Sequence, residues 1–251
     1  MSEIALITGA SAGIGKAFAM QLAPRCQSMI LVSRDADKLD GVAQEIRAMG
    51  VGVSCIAGDL TQPLVVAEVV EAVRQRGPVS ILINNAGFAT HGMFAESDID
   101  SQLGMVDLHC KTMLSLTRAV LPYMRQLGRG HIVNVASLGS FFPMKYAVVY
   151  GASKSFMVAF SMGLAQEVGH EGIGVQCLCP GYTHTEFHTR PAVSHFHKSS
   201  VPDRLWSDSD DVVSASLAAM DRPGTAVVVI PGEENLANAR SALEGFSRVL
   251  S

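Results

Sequence analysis

The sequence has few charged residues, few aromatic residues and no excess of basic over acidic residues. Charged residues make up 17% of its 251 positions and aromatic residues 6%, and the formal net charge is −4. A nucleic-acid-binding surface normally carries an excess of Lys and Arg, so we expect no nucleic-acid partner. With 48% hydrophobic residues the chain can bury a sizeable core, and disorder is not expected.

Targeting and membrane-spanning signals are also lacking. The first ten residues, MSEIALITGA, have no basic region, and Thr8 and Gly9 interrupt their apolar run, so no signal peptide is predicted. No uninterrupted apolar run reaches the roughly 20 residues that cross a bilayer. We therefore expect a cytoplasmic protein without a membrane partner.

The five cysteines form no CxxC pair, and their number is odd. Reduced, buried thiols are the simplest interpretation, with Cys177 and Cys179 on one face of a strand. Four histidines cluster in THTEFHTRPAVSHFH without the carboxylate pattern of a metalloprotease. We predict no metal site and assign the cluster to the surface of a lid; its members are His184, His188, His195 and His197.

Short apolar runs rich in Val and Ile recur along the chain. They are continuous rather than alternating, which indicates strands covered on both faces. The runs are IALIT (4–8), SMILV (28–32), VSCIA (53–57), VSILIN (79–84), HIVNVAS (131–137), GVQCLC (174–179) and TAVVVI (225–230). Segments of helix length separate them, at 13–26, 36–49, 62–76, 99–126 and 149–169. This alternation predicts βαβ units in a single doubly wound α/β domain, residues 1–251, with a parallel sheet.

Two of the predicted helices, 99–126 and 149–169, are apolar around more than one stripe. A helix with this pattern is either deeply buried or part of a subunit contact. Because these helices belong to the outer layers of an α/β sandwich, we predict a homodimer or homotetramer formed through them.

The stretch TGASAGIG (8–15) follows the first predicted strand and opens the first helix. Gly9, Gly13 and Gly15 permit positive φ and let the backbone approach a ligand closely. A helix N-terminus presents free N–H groups to a pyrophosphate. A purely structural turn is the alternative, but the position between strand and helix favours a dinucleotide site.

The end of the second strand bears on the choice of cofactor. NAD-binding folds usually place a carboxylate there for the adenosine ribose hydroxyls. Here Ser33 ends the strand and Arg34 follows, which suits the 2′-phosphate of NADP(H). NADP(H) is favoured, NAD(H) remains possible because Asp35 and Asp37 are close, and Arg34 as a solvated loop charge is the alternative.

Tyr150 and Lys154 lie four residues apart in VVYGASKSF, with only Gly, Ala and Ser between them. Residues i and i+4 share one helix face. A cation about 5 Å from a phenol, at an effective dielectric near 20, contributes roughly 3 kcal/mol, or about 2 pKa units. The pair could therefore act as an acid and base near neutral pH, although an incidental exposed pair is the alternative.

Six motifs in this order resemble the short-chain dehydrogenase/reductase family: TGASAGIG, GDLT (58–61), NNAG (84–87), NVAS (134–137), YGASK (150–154) and PGYTHT (180–185). The resemblance runs from residue 4 to about 190. It implies a Rossmann-type domain whose seven-stranded parallel sheet has the order 3-2-1-4-5-6-7. It also implies NAD(P)(H) binding and interconversion of alcohols and carbonyls.

The resemblance also implies site residues. Tyr150 would be the general acid/base and Ser137 would polarise the substrate oxygen, while Lys154 would lower the pKa of Tyr150 and hold the nicotinamide ribose. A substrate lid is expected at about 182–206. Cofactor contacts are expected at Gly9, Ser11, Gly13, Ile14, Gly15, Ser33, Arg34, Asp59, Leu60, Asn85, Ala86, Gly87, Tyr150, Lys154, Pro180, Gly181, Thr183 and Thr185. Substrate-pocket walls are expected at His91, Leu138, Met144, Tyr182 and Phe187.

One position departs from the family pattern. The family usually has Asn in a D-x-N pattern after the fourth strand, and there it holds a water in a proton relay to the Tyr. This chain reads MVDLHCKT, with His109 in that place. His can donate and accept a proton and titrates near neutrality. His109 is therefore a candidate catalytic residue; a rearranged relay and an inactive site are the alternatives.

These observations predict an NADP(H)-dependent oxidoreductase that acts on a carbonyl or alcohol of a small molecule. A non-catalytic NADP-binding sensor or scaffold is the alternative from another class. An epimerase or dehydratase on the same scaffold would keep Tyr150 and Lys154 but return the cofactor unchanged.

Overall fold

The computed structural model describes residues 3–189, 198–222 and 227–247. Its strands are β1 Glu3–Thr8, β2 Cys26–Ser33, β3 Gly52–Ala57, β4 Ile81–Asn84, β5 Gly130–Val135, β6 Ile173–Leu178, β7 Tyr182–Thr183, β8 Trp206–Ser207 and β9 Val228–Val229. Seven of them form one sheet of order β3-β2-β1-β4-β5-β6-β9, and every neighbouring pair is parallel. The predicted α/β class and strand order are confirmed. The expected seventh strand is β9, because β7 and β8 form a separate two-stranded sheet ahead of it.

The helices are α1 Gly13–Leu22, α2 Ala36–Ala48, α3 Pro63–Arg76, α4 Ile99–Val106, α5 Met113–Leu127, α6 Val148–Val168, α7 Ser209–Met220 and α8 Glu233–Ser247. A π-helical stretch, Asp107–Thr112, joins α4 to α5, so the single helix predicted at 99–126 has three parts. A π-helical turn widens the helix locally and often occurs at a functional site. It contains His109.

The central strands β1 and β4 are buried on both faces of the sheet, whereas the edge strand β3 is largely exposed or half-buried. Along β1, Ala5 and Ile7 pack with residues of α1, α2 and α7, whereas Ile4 and Leu6 pack with residues of α3, α5 and α6. Successive side chains of a strand point to opposite faces. A strand covered by helices on both sides must therefore be apolar at every position, which accounts for the unbroken runs in the sequence.

Strands β1 and β4 are neighbours in the sheet although β2 and β3 lie between them in sequence. Their parallel pairing runs from Ala5 opposite Ile81 to Ile7 opposite Ile83, so both strands end at the same edge of the sheet. Ligands of doubly wound folds bind at the carboxyl edge where the strand order reverses. The TGASAGIG and NNAG motifs meet there.

A chain of buried amide and hydroxyl groups joins β4, β5 and α6. Asn84 Nδ2 donates to Asn134 Oδ1 at 2.8 Å, and Asn134 Nδ2 donates to Ser161 Oγ at 2.9 Å. Asn134 and Ser161 are fully buried. Because a buried polar group without a partner is costly, these bonds fix the position of α6 on the sheet.

By length and composition alone, the stretch Val148–Glu171 is apolar enough to cross a membrane. It consists mainly of α6, which packs on β6 and carries Tyr150 and Lys154. A helix that packs on the sheet of an α/β domain with one face passes the same test, and α6 packs in this way on β6.

Candidate active site

The glycine turn is packed too tightly for side chains. Gly9 and Gly13 have φ of 66° and 53°, a region that L-residues with side chains rarely adopt. A Cβ on Gly15 would lie 2.1 Å from the carbonyl oxygen of Gly9, and one on Gly13 would lie 2.8 Å from Thr185. All three glycines are thus required by conformation or by contact.

The start of α1 presents free backbone donors to a cavity. Its N-cap, Ala12, makes no side-chain capping bond, and no acidic residue lies in the first turn. A helix N-terminus whose backbone N–H groups have no capping partner is suited to binding phosphate. The cavity beside it has a volume of about 580 Å³, within the range of ligand sites, and is lined by Ser11, Ala12, Gly13, Lys16, Lys38, His184, Thr185 and Glu186. The residues present therefore fit a dinucleotide.

Thr8 holds the two loops of the cleft together. Its Oγ1 accepts hydrogen bonds from the backbone N–H groups of Asn85 and Ala86, at 2.9 and 3.0 Å. Asn85 Nδ2 donates in turn to the carbonyl oxygens of Thr8 and Gly9. The sequence reasoning missed this role of Thr8, although its place directly before Gly9 was a usable signal.

On the predicted adenosine side, Ser11 Oγ and Ser33 Oγ lie 2.7 Å apart, and Arg34 is exposed just beyond β2. Asp59 Oδ1 accepts from the N–H of Thr61 at 2.9 Å. Ser33 and Arg34 thus stand at the end of β2, as predicted for the ribose end. Of the other residues predicted there, Leu60 is buried and Ile14 packs partly buried against the core.

The loop after β6 contacts the loop after β5 and helix α8. Pro180 O accepts from the N–H of Leu138 at 2.8 Å, which ties this loop to the one after β5. Thr183 Oγ1 donates to Gly181 O at 3.2 Å. Gly181 packs against Asn235 of α8, where a Cβ would meet Nδ2 at 2.6 Å.

Ser137 and Tyr150 meet through their hydroxyl groups. The hydrogen bond with Ser137 lowers the pKa of Tyr150, but burial acts more strongly, so the net pKa is raised above its ordinary value. Ser137 Oγ also accepts from the N–H of Gly139 at 3.1 Å, which holds the hydroxyl at the end of β5. The two predicted catalytic hydroxyls are therefore brought together.

Lys154 is buried beside them, and its Nζ donates to the carbonyl oxygen of Val135 at 2.8 Å. Burial lowers its pKa to about 8. Nζ lies 5.8 Å from the centre of the Tyr150 ring. The prediction that Lys154 lowers the pKa of Tyr150 is not met here, because burial dominates the phenol and Nζ is directed to a backbone carbonyl.

His109 is held at both ring nitrogens. Nδ1 lies 2.8 Å from Ser153 Oγ, and Nε2 accepts from the N–H of Phe88 at 3.3 Å. Ser153 Oγ donates its one proton to the carbonyl oxygen of Tyr150 at 2.8 Å, so it accepts from His109 Nδ1. This pattern requires a neutral imidazole with its proton on Nδ1.

The surroundings of His109 keep it neutral. Burial, and secondarily the charge of Lys154, holds its pKa well below the ordinary value. The expectation that His109 titrates near neutrality is therefore wrong. Its Nε2 faces the backbone at Gly87, where a Cβ would lie 3.0 Å from Nε2 and 3.5 Å from Lys154 Nζ. Gly87 thus stands between the two side chains.

The predicted pocket walls fall into separate groups. Phe187 lies beside the site, with its ring centre 6.1 Å from that of Tyr150. Met144 packs over Gly139 and Gly151, next to Ser137. Three others lie against different neighbours: His91 against Tyr146 at 5.3 Å between ring centres, Tyr182 against Trp206 at 5.4 Å, and Leu138 against the buried cluster of Cys177 and Cys179.

Cysteine thiols and histidine side chains are the candidate metal ligands of this chain. Cys177 and Cys179 are buried and free, with their sulfurs 3.9 Å apart. Within residues 3–189, 198–222 and 227–247, no three His, Cys, Asp or Glu residues are grouped to hold a metal. His184 stacks on Trp206 at 4.9 Å, and His195 and His197 lie outside the described residues.

These features define a parallel α/β protein with a dinucleotide cleft beside a Ser–Tyr–Lys group. The sequence profile of the short chain dehydrogenase family matches residues 3–192, and the chain belongs to that family. An uncharacterized oxidoreductase of Staphylococcus saprophyticus is 34% identical over 229 residues, which cover 88% of this chain and 92% of the relative.

Two solved structures share the fold over nearly the whole chain. A short-chain dehydrogenase from Sphingobium yanoikuyae in complex with NADPH is 35% identical, with a TM-score of 0.86, covering 99% of this chain and 94% of that one. The bulky-bulky ketone specific alcohol dehydrogenase from Comamonas testosteroni is 33% identical, with a TM-score of 0.81, covering 98% and 94%. These likenesses support an oxidoreductase that binds a nicotinamide cofactor.

The depressed pKa of Lys154 predicts a pH-dependent stability. Between about pH 8 and pH 10.5 the unfolded chain binds more protons at this residue than the folded chain does, so the stability of the wild type rises relative to Lys154→Met. The expected change across that range is about 3 kcal/mol, measured by urea unfolding.

Lys111→Met is the control, because Lys111 is exposed. Its free energy of unfolding is measured over the same pH range and compared with that of Lys154→Met. A constant difference for Lys154→Met would show that Lys154 is not a buried, depressed amine.

Proposed function

We propose that this protein is an NADP(H)-dependent oxidoreductase that transfers hydride between the nicotinamide and a carbonyl or alcohol carbon of a small molecule. The observation that carries this proposal is the meeting of Ser137, Tyr150 and Lys154 beside a glycine turn that presents an uncapped helix N-terminus. The cofactor would supply the hydride. The protein supplies the proton, the orientation and the polarisation.

Each of the three side chains has a separate part. Tyr150 gives or takes the proton at the substrate oxygen, and its hydrogen bond with Ser137 stabilises the ionised phenol. The Ser137 hydroxyl donates to the substrate oxygen as negative charge develops. Lys154, with a pKa of about 8, carries a positive charge at neutral pH and orients the nicotinamide ribose.

His109 is assigned a positioning role. It hydrogen-bonds Ser153, which bonds the backbone of Tyr150, and its other nitrogen holds the NNAG loop at Phe88. A neutral ring held at both ends stores no proton for transfer, but it fixes the distance between α6 and the cofactor loop. His109 would thus take the place of the family's Asn as a brace.

The cofactor assignment rests on charge at the end of β2. Arg34 is exposed there, and the strand itself ends in Ser33 rather than in a carboxylate. An Arg in this place suits a 2′-phosphate through charge-assisted bonds. The NADPH in the Sphingobium yanoikuyae relative supports this assignment, while NAD(H) remains the alternative.

The substrate is proposed to be an uncharged ketone or the matching alcohol. Phe187 and Met144 stand next to Tyr150 and Ser137, and both are apolar. The Comamonas testosteroni relative is specific for bulky-bulky ketones, which supports the same class here. We propose that the lid predicted at 182–206 covers this substrate. Residues 190–197 of that segment lie outside the described residues, and β7 and β8 pair at its two ends.

We also propose a cytoplasmic homodimer or homotetramer. Helices α4, α5 and α6 leave large apolar side chains exposed, with Leu103 at 53%, Leu114 at 37%, Phe156 at 40% and Met162 at 49%. Several large apolar side chains exposed on neighbouring helices are typical of protein contacts. A second copy of the chain would cover it.

The first test replaces the acid/base residue. Tyr150→Phe keeps the ring but removes the hydroxyl, so turnover should fall at least about 100-fold while NADPH affinity stays close to wild type. The absorbance of reduced nicotinamide follows turnover with a panel of ketones, aldehydes and alcohols, and calorimetry follows binding.

Tyr123→Phe, on α5, serves as the matched control. Tight NADPH binding by the wild type without turnover of any panel member would favour the sensor or scaffold. Turnover that leaves the cofactor unchanged would favour an epimerase or dehydratase.

The second test concerns His109. Asn is too short to keep both contacts of the imidazole, so His109→Asn should lower kcat about two- to tenfold, the equivalent of one hydrogen bond. His170→Asn, at an exposed position, should leave kcat unchanged. Because burial holds the pKa of His109 well below its ordinary value, the wild-type rate should show no ionisation of this residue near neutral pH. A gain in kcat would mean that the histidine impairs the site.

The third test concerns assembly. Phe156→Asp combined with Met162→Asp places charge in the apolar surface of α6 and should convert the oligomer to monomer, as measured by light scattering after gel filtration. Leu64→Asp is the control, since Leu64 is 85% exposed on α3 and lies outside that surface. A wild-type chain that is monomeric at micromolar concentration would refute the proposed assembly.

A further inference from the structure

Three consecutive residues, the last of the PGYTHT motif and the two that follow it, span the cofactor cleft. Thr185 packs over the start of α1 at Gly13. Glu186 reaches Lys38 in the first turn of α2, and Phe187 stands beside Tyr150. The segment 185–187 therefore connects the adenosine side of the cleft to the catalytic phenol.

The contact of Glu186 with Lys38 is a two-pronged ion pair. Lys38 Nζ donates to both carboxylate oxygens, at 2.7 and 2.8 Å. The side chains remain 48% and 58% exposed. An ion pair exposed to this extent is weak enough for a competing anion to replace the carboxylate.

Lys38 faces the same cavity as the glycine turn. Ser11 and Lys38 both line it, and Ser11 is hydrogen-bonded to Ser33 at the end of β2, immediately before Arg34. A phosphate bound near Arg34 would thus lie on the wall of the cleft to which Lys38 belongs. Lysine binds phosphate as a mobile point charge.

We propose that Lys38 is a specificity-determining residue for NADP(H), and that Glu186 competes with the 2′-phosphate for it. This inference rests on the proposed function, because it requires the dinucleotide in this cleft. NADP(H) binding replaces the carboxylate with a phosphate on Lys38 and releases Glu186 from Lys38. NAD(H) has no 2′-phosphate and leaves the ion pair in place.

The exchange also links the two halves of the site. Glu186 directly precedes Phe187, whose ring centre is 6.1 Å from that of Tyr150. Release of residue 186 from α2 therefore changes the restraint on the side chain that stands over the phenol. The 2′-phosphate, though remote from the nicotinamide, would act on the substrate side of the cleft through this segment.

The test is a double-mutant cycle on cofactor affinity. Dissociation constants for NADPH and NADH are measured by calorimetry for wild type, Glu186→Gln, Lys38→Gln and the double variant. Glu186→Gln should bind NADPH about 1.5- to fivefold more tightly, the range of an exposed ion pair, and Lys38→Gln should bind it more weakly. NADH affinity should not change in any of them. In the Lys38→Gln background, Glu186→Gln should have no effect on NADPH.

Glu71→Gln is the charge-matched control, because Glu71 forms an exposed ion pair on α3, with Arg74. If Glu71→Gln tightened NADPH binding as much as Glu186→Gln does, the effect would come from net charge alone, and the proposal would be overturned. Equal tightening of NADPH and NADH by Glu186→Gln would assign Lys38 to the shared pyrophosphate and overturn it too. Unchanged NADPH affinity in Glu186→Gln ends this inference alone, whereas a wild type that binds neither nucleotide ends the proposed function with it.

Discussion

The joint between the ends of β1 and β4 is the contact on which the site depends. Thr8 accepts from two backbone N–H groups of the NNAG loop, and Asn85 returns two bonds to the end of β1. These bonds join strands that are neighbours in the sheet but far apart in sequence. They set the distance between the glycine turn, where a pyrophosphate would bind, and the loop that leads to His109.

The two sides of the contact between β1 and β4 differ in burial: the glycine turn exposes backbone donors, whereas the catalytic side chains are buried or half-buried. At the glycine turn the backbone N–H groups of α1 stay available, so the protein attracts an anion without a buried charge of its own. At the catalytic group, burial raises the pKa of Tyr150 and lowers that of Lys154. Both shifts favour the neutral forms, which leaves a proton on the phenol. A bound positive nicotinamide would act in the other direction on the phenol, by favouring its ionised form.

The sequence motifs lie where they were predicted in the fold, but several structural features between the motifs could not be predicted. The apolar runs were sufficient for the strands of the main sheet and the intervening segments for helices α1 to α6, whereas the short strands β7 and β8 and the helix α8 were not predicted. The π-helical turn at Asp107–Thr112 carries no such pattern. The only sign of the π-helical turn in the sequence is His109, which stands where the family usually has Asn. The position of the His109 ring depends on contacts with Ser153 and Phe88, which are remote in sequence.

The α/β class could be predicted from the amino-acid pattern, because runs of apolar residues and the segments between them are local features. The strand order and the residues at the carboxyl edge were predicted from the resemblance of six motifs to a known family. The protonation of His109, the direction of Lys154 Nζ toward Val135 and the pairing of Lys38 with Glu186 became visible only in the folded chain. Burial and side-chain contacts set ionisation and pairing, and both are made by residues far apart in the sequence.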